Sequence, residues 1–110
     1  GAVAQGEVLI LPFPYSDRLA EKRRPAVVIS KPALERQHGV LWVAMITSDR
    51  GGRRADDTPI SDLKRAGLPA ASLVRPVKLA TIEPGRVLRS AGTLTKTDLA
   101  QVLAAIGKFS

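Results

Sequence analysis

The apolar, β-branched segments of this chain are separated by gaps too short to hold crossover helices, which argues against parallel βαβ architecture. Those segments are residues 7–13, 25–30, 40–47, 71–75 and 78–82, with a shorter one over 58–60. Strands this close in sequence pair antiparallel by default. The first is continuously apolar at its centre, Val8-Leu9-Ile10-Leu11, so both of its faces are expected to be covered. Pro12 and Pro14 end it, Pro25 opens the second segment, and Pro76 is expected to separate the last two. Residues 15–23 and 31–39 read as polar loops, and 49–54, with Gly51-Gly52, as a flexible basic loop. Residues 62–66 suit one helical turn stopped by Gly67 and Pro69, while 87–94 give no clear signal. The one clear helix spans about 96–108. Thr95 stands at its N-cap, Asp98 is placed to complete a capping pair, and Leu99, Val102, Leu103 and Ile106 share a face. The expected fold class is mainly β, a β-barrel or curled sheet plus a C-terminal helix.

A chain of 110 residues with 45% hydrophobic residues fits one domain with one core. It has no cysteine and one histidine, His38, so disulfides, thiolate sites and multi-histidine zinc sites are excluded; no metal and no cofactor is expected. No apolar run is long enough to span a bilayer, and residues 1–5 lack the features of a signal peptide. Those first residues are read as processed or added, and disordered. The composition suits a cytoplasmic protein. Seventeen Lys and Arg against ten Asp and Glu leave a net charge of +7, which favours a polyanion or an acidic protein as partner.

Hairpin geometry concentrates that charge. In an antiparallel pair the index sums of facing residues stay nearly constant, so if Ser30 lies near Leu41, Arg24 lies near Thr47. The loops 14–23 and 49–55 leave from the same end. They carry Arg18, Lys22 and Arg23 in one and Arg50, Arg53 and Arg54 in the other. A fixed cation, a hydroxyl and two basic loops at one mouth suit a phosphodiester. Each residue also has a plainer reading: an arginine at a strand entry is ordinarily solvated, and a threonine closing a strand is ordinarily a cap or a β-propensity choice.

Several stretches, in order and spacing, resemble the MazF/PemK (Kid-like) toxins. Gly6 to Pro14 (GEVLILPFP) looks like their opening strand, and Lys22 to Ser30 (KRRPAVVIS) like their [KR]-x-R-P strand. Ala44-Met45-Ile46-Thr47-Ser48 resembles their I-T-[ST] ending, and Gly67 to Val74 (GLPAASLV) their G-L-x-x-x-S-x-V segment. Lys78 to Val87 (KLATIEPGRV) resembles their K-[IL]-x-T-[IL] stretch, and Gly92-Thr93-Leu94 leads into the final helix.

The resemblance implies an SH3-like barrel of the MazF/PemK/CcdB toxin type, a homodimer, and an acidic antitoxin whose extended segment occupies the basic groove. It implies a metal-independent endoribonuclease (an mRNA interferase) that cuts single-stranded RNA and inhibits growth. The family's catalytic arginine and threonine fall on Arg24 and Thr47, with Ser48 a weaker donor. Arg75 matches an arginine that some members use, either on phosphate or lining the groove. Some relatives place a carboxylate where this chain has Val77, so the general base is open. Glu83 and Asp17 are substitutes, and His38 has the right pKa but sits in the turn at the far end of the hairpin.

RNA binding is expected from Lys22, Arg23, Arg50, Arg53, Arg54 and Lys78, with Phe13 and Tyr15 stacking on bases. Trp42 is assigned to core or dimer packing and Phe109 to the core. Two other readings share the fold: a CcdB-like toxin that acts on DNA gyrase without cutting RNA, and a barrel that binds nucleic acid without cleaving it.

Overall fold

The computed structural model describes residues 2–12 and 23–110. A six-stranded antiparallel sheet forms the molecule, in the order β4-β5-β3-β2-β1-β6. Its strands are β1 (Glu7–Pro12), β2 (Arg23–Val28), β3 (Leu41–Ser48), β4 (Thr58–Pro59), β5 (Ser72–Ile82) and β6 (Arg89–Thr93). Three helices complete it: α1 (Pro32–His38), α2 (Leu63–Ala66) and α3 (Lys96–Gly107). No helix among the described residues is long and apolar enough to cross a membrane.

The alternation of side chains along each strand sorts the interior into two clusters. Val8, Val27, Ala44, Ile46 and Val74 pack with Leu94 and Val102 under α2 and α3, joined by Leu99, Leu103 and Ile106. Leu9, Leu11, Ala26, Val28, Val43 and Met45 point to the opposite face, where the curled sheet buries them with Leu41 and Ile82. β1 therefore has Val8 on one side and Leu9 and Leu11 on the other, which is why its centre carries no polar residue. At the start of the chain Val3 packs against this second cluster, its N–H donating to Glu35 Oε1 of α1 at 2.7 Å, and Gln5 Nε2 donates to the Ile29 carbonyl at 2.8 Å.

Several expectations change. Residues 31–39 hold a helix, α1, with no buried residue; Pro32 fits its first turn and Gly39 closes it in the left-handed region. β5 runs unbroken through Pro76. Its register against β3 jumps from Met45↔Arg75 to Ala44↔Leu79, so residues 76–78 form a bulge with no rung, and proline's missing N–H is not needed there. The capping pair of α3 is half made. Thr95 accepts from the Asp98 N–H at 3.1 Å, but the Asp98 carboxylate turns to the N–H and hydroxyl of Ser61, at 2.8 and 2.9 Å. Phe109, expected in the core, is exposed, with Lys108 Nζ 5.4 Å from its ring centre.

α2 ends in a Schellman pair, Leu68 N–H to Leu63 O and Gly67 N–H to Lys64 O, with Gly67 at φ 74°. There it meets β6 backbone to backbone. A Cβ on Gly67 would stand 2.0 Å from the Ala91 oxygen, and one on Gly92 would stand 2.1 Å from the Arg65 oxygen. Gly92→Ala is therefore expected to cost about 3 kcal/mol, at the upper end for overpacking, because only backbone can yield. Denaturant unfolding measures it; a loss under about 1 kcal/mol would show that the two segments separate easily.

Candidate functional site

β2 and β3 pair as Ala26↔Met45, Val27↔Ala44 and Val28↔Val43. Continued by two residues, this register sets Arg24 across from Thr47. Alternation puts both on the face of Ala26, Val28, Val43 and Met45. Arg24 is exposed and also stands opposite Leu11 of β1; Thr47 is half-buried and opposite Leu73 of β5. The guanidinium and the hydroxyl thus occupy one end and one face of the sheet.

Arg23, Arg50, Arg53 and Arg54 lie at or near that end. Arg23, exposed, pairs there with Pro12. Phe13, Tyr15, Asp17, Arg18 and Lys22 lie outside the described residues. Ser48 ends β3 and caps a 3₁₀ turn, Asp49–Gly51, its Oγ accepting from the Arg50 N–H at 3.2 Å. A hydroxyl used as an acceptor still has its own hydrogen to donate. The loop expected to be flexible is built from such turns. The Arg54 N–H donates to Asp57 Oδ2 at 2.7 Å, and the Asp57 N–H donates to the Arg54 carbonyl at 3.2 Å. Arg50, Arg53 and Arg54 are exposed along it. Lys78 is half-buried on the β5 bulge beside the exposed Val77.

Arg75, which the resemblance sets on phosphate or lining the groove, is buried, with Nε 3.2 Å from Asp57 Oδ1 and Nη2 3.0 Å from Oδ2. The β4–β5 register, continued one rung beyond Thr58↔Val74, makes this a cross-strand pair. Asp57 is the residue that sequence reasoning missed; the one available signal was an acidic pair, Asp56-Asp57, directly after Arg53-Arg54-Ala55. Glu83 follows Ile82, the partner of Leu41, and so lies at the far end of β3 from Thr47, as does His38. Neither is placed to exchange a proton at the Arg24–Thr47 end.

Burial works against ionisation of Asp57, but the Arg75 hydrogen bond, the Arg54 amide and the two guanidinium charges outweigh it, holding its carboxyl below the usual carboxylate value. A depressed carboxyl contributes stability that is complete above the unfolded value of about 3.9 and is lost as pH falls through the folded value. Stability from this pair is therefore expected to hold from neutral pH to about pH 4 and to fall below it. Comparing denaturant unfolding across pH with a variant lacking both charges checks this: the acid limb shrinks in the variant, and equal limbs would refute the assignment.

Comparisons with known proteins bear on this geometry. The family model described as PemK-like, MazF-like toxin of type II toxin-antitoxin system matches residues 4–110. No curated protein matches in sequence. Among solved structures the chain is similar to MazF from Deinococcus radiodurans, at 19% identity and TM-score 0.79, over 99% of this chain and 96% of that one. It is similar to an endoribonuclease in complex with its cognate antitoxin from Mycobacterial species, at 14% identity and TM-score 0.74, over 98% and 92%. It is also similar to the Mycobacterium tuberculosis toxin MazF-mt6, at 21% identity and TM-score 0.72, over 93% of each chain.

Proposed function

Because the chain belongs to the PemK-like, MazF-like toxins of type II toxin-antitoxin systems, we propose that it is a metal-independent endoribonuclease acting on single-stranded RNA. The observation that carries this is the convergence of Arg24 and Thr47 on one end and face of the sheet, a pairing that a gyrase-binding barrel has no chemical need for. RNA supplies the nucleophile. The 2′-oxygen attacks phosphorus as its proton is removed, the bond to the 5′-oxygen breaks, and that oxygen takes up a proton. The ends are a 2′,3′-cyclic phosphate and a 5′-hydroxyl. Arg24 pairs with the non-bridging oxygens, where charge builds in the phosphorane, and its high pKa suits charge stabilisation better than proton donation. Thr47 donates a hydrogen bond to the same phosphate, with Ser48 beside it. Arg23, Arg50, Arg53, Arg54 and Lys78 supply the basic track; from the sequence, Lys22 is assigned to phosphate contact as well, and Phe13 and Tyr15 to base stacking.

The antitoxin of this reading is an acidic, extended segment that neutralises the same track. The homodimer is supported by exposed Trp42, Leu79 and Phe109 and by an apolar groove of about 390 Å³ lined by Ile29, Trp42, Leu79, Ala80 and Ile106. Purified protein incubated with single-stranded RNA in EDTA, with the RNA ends sequenced, tests the proposal. Cyclic phosphate and 5′-hydroxyl ends at a recurring motif are expected. RNA bound but left intact would support a non-catalytic barrel instead.

A further inference from the structure

Two charged side chains stand behind the basic loop rather than on it. Asp57, its side chain 1% exposed, takes Nε and Nη2 of Arg75 on its two oxygens. The same carboxylate holds the Arg54 N–H, so it grips the loop by its backbone just beside Arg53. Arg75 belongs to β5 and pairs with Met45, two residues before Thr47 on β3. An unbroken run of backbone pairing and charged hydrogen bonds therefore links the strand of Thr47 to the backbone of Arg54. Asp56 adds a second tether: left-handed at φ 70°, it receives Lys108 Nζ from the end of α3 at 3.0 Å. A loop ordered in advance meets a polyanion without the entropy cost of ordering on contact.

Resting on the nuclease reading above, we propose that Asp57 and Arg75 are positioning residues: they fix the Arg50–Arg54 loop over the Arg24–Thr47 end, and Arg75 acts on RNA through that loop rather than by touching phosphate. The loop binds substrate and transition state alike, so its misplacement raises KM and spares kcat.

The test uses the double variant Asp57→Leu/Arg75→Met, which keeps an apolar contact in place of the pair, and Arg75→Lys, which keeps a charge but not the two-pronged grip. Trypsin, which cuts after Arg50, Arg53 and Arg54, reads loop order without any RNA. Steady-state cleavage of a short RNA reads KM and kcat, and circular dichroism confirms folding. In the double variant we expect loop cutting to quicken about tenfold, KM to rise about tenfold with kcat held within about twofold, and the salt dependence of binding to flatten. Arg75→Lys falls between wild type and the double variant, and carries the test alone if the double variant does not fold. A lowered kcat with unchanged trypsin cutting would make Arg75 a phosphate ligand and overturn the proposal. A changed melting point with unchanged KM would make the pair merely structural and overturn it as well. Wild-type protein that leaves RNA intact removes the nuclease reading and this proposal with it, whereas intact wild-type activity with an unaltered KM in the variants removes this proposal alone.

Discussion

Asp57→Ala is expected to lower the unfolding free energy by about 3–5 kcal/mol and the melting temperature by at least about 10 °C. The cost does not come from losing a favourable ion pair, since such pairs roughly break even against apolar packing once desolvation is counted. It comes from what remains. The Arg75 side chain is 9% exposed and flanked by β3 and β4, so without Asp57 a guanidinium stays buried with its charge uncompensated, and the Arg54 N–H loses its acceptor. The same reasoning predicts that Asp57→Leu/Arg75→Met recovers most of the loss, because it removes both charges and keeps volume. Thermal melts of wild type, Asp57→Leu, Arg75→Met and the double variant complete the cycle, with Asp57→Ala measured beside them. A double variant no more stable than Asp57→Ala would mean that the deficit arises from packing or loop strain and not from a stranded charge.

What could be read from the sequence, and what could not, follows from the range of the interactions involved. The Arg24–Thr47 juxtaposition was legible because a short antiparallel connection leaves little freedom of register, and the observed rungs follow the expected index rule. The two-sided burial of β1 was legible because a strand with four apolar residues in a row has no face suited to water. α1 escaped because it buries nothing and so leaves no hydrophobic periodicity; its marks are terminal, Pro32 at the start and Gly39 past the end. The fate of Arg75 escaped for a deeper reason. A cross-strand partner 18 positions away is invisible to local pattern, and an arginine near a nucleic-acid groove looks the same in sequence whether it faces phosphate or a buried carboxylate. Asp98 shows the same limit: its capping spacing from Thr95 was correct, yet Ser61 on a distant segment took its carboxylate.

Arg24→Ala is expected to reduce kcat by about 10²–10³, equivalent to about 2.7–4 kcal/mol of transition-state stabilisation, while KM changes little. Arg24 is exposed, so its removal leaves no stranded group and the fold is expected to survive; a melt within about 0.5 kcal/mol of wild type makes the kinetic loss interpretable. Charge on the non-bridging oxygens rises between the bound phosphodiester and the phosphorane, so a fixed guanidinium acts more strongly on the second than on the first. Arg24→Lys keeps the charge but cannot reach two oxygens at once, and is expected to restore only part of the rate. Thr47→Val keeps the shape of the half-buried side chain and removes one donor. Combined with Arg24→Ala it is expected to cost less than the product of the two losses, because in the proposed mechanism both groups hold the same phosphate and the second has little left to stabilise once the first is gone. Single-turnover cleavage of a short RNA by wild type, the two single variants and the double variant measures that coupling. Fully multiplicative losses would mean that the two side chains act on different steps, and the shared-phosphate arrangement would have to be abandoned.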